Sequence, residues 1–195
     1  LFRGQLGVSV SFLEEIWSRN LGNLLVSPLR PYELIAALLA MSFIRTVIGL
    51  VPAALLAIPF YGFSIFDMGW ALLAFFANLL IMGWAVGLLV AGLLLRYGLG
   101  AESLAWLAIF AVAPLSGIYY PLDVLPGWLL PIAKALPSAH VFEGMRAVLI
   151  EGIFRFDLLI NAVALNVLYM GLGAAAFLWA YRAARRRGLI LQMGE

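Results

Sequence analysis

The chain holds few groups with which to make or break bonds. Its 195 residues include one histidine, His140, and no cysteine, which excludes thiolate nucleophiles, disulfides and thiolate metal sites. A metal at His140 would draw its other ligands from Asp123, Glu143 and Glu151. A hydrogen-bonded histidine at the edge of a helix accounts for the same residue without a metal. Ser116 is the best hydroxyl within an apolar run, but no evident base accompanies it. Hydrolysis or group transfer needs a nucleophile with a base, or several metal ligands, so the chain is not expected to be an enzyme. It also lacks a GxxxxGK[ST] loop, and any nucleotide would have to sit elsewhere.

Arg45 is the charged residue of greatest interest. Counted from Leu34 at 1.5 Å rise per residue, it lies roughly 16 Å along an apolar helix, near the middle of a bilayer. Three roles fit it: lining a substrate path, pairing with a carboxylate from a span outside this chain, or snorkelling within a structural pair. Asn78, Asn161 and Asn166 suit hydrogen bonds between helices.

These residues are carried on a membrane protein. Hydrophobic residues make up 65% of the chain and charged ones 11%, and the mean hydropathy is +1.06, far above a soluble domain. The net charge of +2 gives no field suited to nucleic acid. A span needs roughly 20 apolar helical residues, and four stretches qualify: 34–60, 70–95, 104–120 and 158–181. Pro114 and Gly117 predict an unwound end for the third. Arg3, Arg19, Arg30, Arg96, Arg182, Arg185, Arg186 and Arg187 flank the spans on one side, against Lys134, Arg146 and Arg155 on the other. The expectation is a multi-pass protein of the plasma (inner) membrane with both ends of the chain cytoplasmic. Gly83 and Gly87 form a GxxxG on which another helix packs closely.

The stretch "FLEEIWSRNLGNLLVSPLRPYE", residues 12–33, is the most polar long segment. Leu13, Ile16, Trp17, Leu21, Leu24 and Leu25 share one face of a predicted helix, with Glu14, Glu15, Ser18, Arg19 and Asn23 opposite. Glu15 and Arg19 stand in the favourable i,i+4 order. Pro28 and Pro31 break this helix, and the next begins near Tyr32 with Glu33 in its first turn. Physics alone allows an interfacial lead-in helix or a rigid elbow that presents side chains to a soluble partner.

The order acidic pair, basic residue, "NLLVSPLRPYE" and long apolar span resembles the coupling helix of ABC transporter permeases of the type-2 exporter class. "LPSAHVFEGMRAVLIEG", residues 136–152, is similar to the segment those permeases carry before their last span. The resemblance covers nearly the whole chain and implies an all-α polytopic membrane domain over 1–195. Within it, 12–30 would be the coupling helix and 121–156 an outer re-entrant helical hairpin. It implies six spans, two of them ahead of the coupling helix; only eleven residues precede Phe12, so this chain is expected to be a fragment with four complete spans. It assigns ATPase coupling to Glu14, Glu15, Arg19, Leu24, Leu25, Ser27, Pro28 and Leu29, and the hairpin edge to Pro137, His140, Glu143 and Arg146. The implied partners are a nucleotide-binding ATPase subunit holding ATP and Mg, a second permease subunit and the lipid bilayer. An accessory membrane subunit without its own path is the alternative. In the hairpin, Ser138 is expected to cap a helix whose apolar face carries Val141, Phe142, Met145, Val148 and Leu149.

Overall fold

A computed structural model describes residues 1–61 and 69–187; the side chains of Leu25, Tyr61 and Arg187 lie outside the described set. All regular elements among the described residues are helical. They are α1 (Phe2–Trp17), α2 (Leu21–Val26), α3 (Pro31–Tyr61), α4 (Trp70–Tyr97), α5 (Glu102–Val112), α6 (Leu130–Lys134), α7 (Pro137–Arg146) and α8 (Phe156–Arg187). Short 3-10 turns occupy Gly98–Ala101 and Leu122–Val124, and a π-helical segment occupies Ala147–Glu151. The chain is a polytopic helical membrane protein.

Among the described residues three stretches are long and apolar enough to cross a bilayer, Pro31–Phe60, Trp70–Val112 and Phe156–Arg186, rather than the four expected. The stretch 104–120 falls short because α5 has 11 residues, about 16 Å at helical rise. Pro114 offers no N–H to the carbonyl of Phe110, and the chain turns instead. The Ser116 hydroxyl donates to the carbonyl of Ala113 at 2.7 Å, Tyr120 donates to that of Pro114 at 2.6 Å, and Gly117 takes φ +72°. α3, by contrast, runs through both Pro52 and Pro59.

α4 is the central helix, packed against α1, α7 and α8. Close approach explains why small residues recur at its contacts. A Cβ on Gly87 would lie 2.7 Å from Cβ of Val8, and one on Gly83 would strike the carbonyl of Leu1. The GxxxG of α4 is therefore filled by α1 of the same chain. On α8 it is Gly173, pressed on the carbonyl of Ala85, that permits the approach. Asn166 of α8 donates to both the carbonyl (3.0 Å) and Oδ1 (2.8 Å) of Asn78, which itself donates to the carbonyl of Ala74 at 2.8 Å. That polar clamp fixes the α4–α8 register inside an apolar bundle. Asn161 does not join it, being exposed.

The bundle has two unlike ends. At one, Phe12, Leu13, Ile16, Leu34, Leu94, Phe177 and Tyr181 share the main core beside α2; at the other, Phe75, Val141 and Ala162 pack under α7. We call these the elbow end and the hairpin end.

Candidate functional site

The predicted coupling helix over 12–30 falls on two helices, the end of α1 and the whole of α2. Arg19 has φ 55°, and the N–H groups of Arg19 and Asn20 donate to the carbonyls of Ile16 and Glu15, each at 3.0 Å. This is a Schellman termination with arginine in the left-handed position usually taken by glycine. Phe12, Leu13 and Ile16 consequently belong to the buried bundle. The expected Glu15–Arg19 pair is absent among the described residues, because the reversed backbone carries Arg19 off the helical face; Glu15 Oε2 accepts from Asn20 Nδ2 at 2.7 Å instead.

α2 then stands at the elbow end as a six-residue helix. Leu24 and Leu29 are half-buried against the main core, which anchors the elbow. The Ser27 hydroxyl donates to the carbonyl of Leu24 at 2.6 Å and accepts from the N–H of Leu29 at 3.4 Å, holding the turn in which Pro28 is exposed. α3 restarts firmly: Pro31 occupies its first position, and Glu33 Oε2 accepts from the N–H of Arg30 at 2.7 Å, half of a capping box. Val26 is 88% exposed and Trp17 51%. The sequence reading did not single out Val26, and it placed Trp17 on the apolar face of the predicted helix.

Arg45 meets a carboxylate of its own chain. Nη1 and Nη2 donate to Oε1 and Oε2 of Glu14 at 3.0 and 2.6 Å. Helical side chains lean toward their own N-terminus. On the antiparallel α1 and α3, Glu14 and Arg45 therefore lean toward each other across the offset between their backbones. About half of each side chain remains exposed.

At the hairpin end Glu143 and Arg146 form the central tie. Glu143 Oε1 accepts from Arg146 Nη1 at 2.7 Å and from the N–H of Leu122 at 3.0 Å, while Arg146 Nη2 donates to the carbonyl of Gly117 at 3.0 Å. Two side chains of α7 thus hold the turn that follows α5. His140 Nε2 lies 2.8 Å from the carbonyl of Lys134, which makes that nitrogen the donor and joins α7 to α6. Ser138 does not cap α7: Leu136 holds the cap position and Pro137 starts the helix, leaving the Ser138 hydroxyl buried without a partner. Val141 is buried, and Met145 and Val148 pack beside it. The wider π turn carries Leu149 off that face to 51% exposure. Among the described residues no group of three or more histidine, aspartate or glutamate side chains is placed to hold a metal.

Between the hairpin and the start of α8 lies a cavity of about 570 Å³, lined in part by His140, Glu143 and Arg146. The two predicted groups of site residues thus fall at opposite ends of the bundle, with Arg45 tied to the elbow group through Glu14.

A family model described as ABC-2 type transporter matches residues 1–150. The chain belongs to the ABC-2 type transporter family. No curated protein and no solved structure shows a significant match. Membership makes the chain a permease, the membrane domain of an ABC transporter, and implies partnership with an ABC ATPase subunit.

Proposed function

We propose that this ABC-2 permease couples ATP hydrolysis on a separate nucleotide-binding subunit to export of a substrate, with α2 as the coupling helix. The exposed apolar tip carries this reading. An 88% exposed Val26 on a helix anchored by Leu24 and Leu29 fits insertion into a cleft of a soluble partner. The Schellman turn behind α2 and the Pro28–Pro31 turn ahead of it make the elbow stiff. Motion of the partner then passes into α1 and α3, whose Glu14–Arg45 pair moves them as a unit. ATP and Mg belong to the partner, and no catalytic role falls to this chain. The half-exposed pair suits a second permease subunit or a watery path on its open side, since charge at membrane depth faces protein or water. Arg96, Arg182, Arg185 and Arg186 around the elbow end support a reading in which that end faces the cytoplasm of a plasma (inner) membrane protein and the hairpin faces outside.

The test is co-reconstitution with the ATPase that purifies with the chain, comparing wild type with Val26→Asp. Loss of ATPase binding, with the fold intact by circular dichroism, is expected. Undiminished binding of the variant would remove α2 from the interface. ATPase binding without stimulation by any transported compound would favour an accessory subunit.

A further inference from the structure

The cavity at the hairpin end is more polar than hairpin packing requires. Six charged side chains line it, three basic (Lys134, Arg146, Arg155) and three acidic (Asp123, Glu143, Glu151). Glu143 and Arg146 neutralise each other, and Arg155 is paired at 2.6 Å with Asp157, whose hydrogen bond and charge raise the Arg155 guanidinium above its ordinary pKa. Among the described residues no hydrogen bond or ion pair engages the side chains of Lys134, Asp123 or Glu151. The cavity therefore offers an unpaired cation and two unpaired carboxylates, with Arg155 as a second cation of partly used capacity.

The surroundings point to the membrane surface. Trp70, Phe154 and Phe156 cluster at this end, with Trp70 4.1 Å from the Phe154 ring and 5.9 Å from that of Phe156, an aromatic group of the kind found where bilayer meets water. Leu130 and Leu158 supply apolar wall. A volume of about 570 Å³ lies within the roughly 300–1,000 Å³ range of small-molecule sites.

We infer that this cavity binds a zwitterionic amphiphile head carrying a phosphate and a primary ammonium, as in phosphatidylethanolamine. Lys134 and Arg155 receive the phosphate, and Asp123 and Glu151 receive the ammonium. The balance of lining charge disfavours a purely anionic head. Among the described residues no Phe, Tyr or Trp side chain lines the cavity, so the cage that favours quaternary ammonium is missing, and the primary amine, with three N–H donors for carboxylates, fits better. The inference concerns a binding site and does not depend on whether or in which direction the protein transports.

The test is native mass spectrometry of the intact complex purified from nanodiscs holding equal parts phosphatidylethanolamine, phosphatidylglycerol and phosphatidylcholine. Wild type is expected to retain phosphatidylethanolamine about tenfold over either competitor, the scale of one charged hydrogen bond. Glu151→Gln with Asp123→Asn should bring phosphatidylethanolamine and phosphatidylcholine to parity, and Lys134→Gln should lower retention of both. Arg182→Gln, at the elbow end, should change nothing. Competition by soluble phosphoethanolamine would locate recognition in the head alone. Failure of that competition, with the variant effects intact, would show that the acyl chains add to it. Equal retention of all three lipids, or retention indifferent to the cavity variants, overturns the assignment.

Discussion

Breaking the Glu14–Arg45 pair has an effect whose size follows from its setting. The pair is bidentate, at 3.0 and 2.6 Å, with side chains 46% and 40% exposed. Fully exposed pairs contribute about 0.2–1 kcal/mol, whereas a lone charge left behind in a buried pair costs about 3–5 kcal/mol. Half-exposure puts Arg45→Met or Glu14→Met between these limits, at about 1.5 kcal/mol each. The double substitution strands no charge, so it should cost about 1 kcal/mol, giving a coupling energy of about 2 kcal/mol. The assay is equilibrium unfolding of the detergent-solubilised protein for all four members of the cycle. If the single effects add to within about 0.5 kcal/mol, the two side chains do not act together, and the idea that α1 and α3 move as a unit fails.

Other perturbations follow from the same geometry. Arg19→Gly should stabilise the protein by about 1 kcal/mol, because glycine takes the left-handed position without a Cβ penalty; a lower unfolding temperature would refute the assigned backbone. Gly87→Leu, driving a side chain into Val8 and the carbonyl of Gln5, should cost about 1–3 kcal/mol, read as faster amide exchange in α1. Asn166→Leu should cost about 0.6–1.7 kcal/mol, and the loss should shrink when Asn78 is already leucine, as unfolding of both variants would reveal. Arg146→Met should free residues 117–122, seen as faster exchange at the Leu122 amide while α4 stays protected.

How much was legible depended on whether the deciding interaction was local. The apolar runs of α3, α4 and α8 are visible because a helix that meets lipid must be apolar along its length. The hairpin helices announce themselves through 3.6-residue periodicity. The break after Ser18 does not, since arginine in a left-handed turn carries no compositional signal, unlike glycine. That one residue divides a predicted amphipathic helix into α1 and a separate α2, in which Leu21 is buried in the main core while Asn23 and Val26 are exposed. The partner of Arg45 was equally hidden: Glu14 lies 31 residues away and was assigned to the solvent face of another segment. Only the antiparallel packing of α1 and α3 brings the charges together. The short α5 marks a third limit, where Pro114 and Gly117 foretold unwinding but not its extent. Among the residues that the resemblance assigns to coupling, Leu24 and Leu29 pack against the main core rather than protrude, while Val26, an ordinary aliphatic residue in sequence, is exposed.

The most direct measurement is photo-cross-linking from position 26 in native membranes, with the captured protein identified by mass spectrometry. The account predicts a nucleotide-binding ATPase bearing a phosphate-binding loop, cross-linked at 26 and not from a control position on the lipid-facing side of α8 such as Val167. Capture of lipid alone at position 26, while an ATPase is captured from the hairpin end, would contradict it.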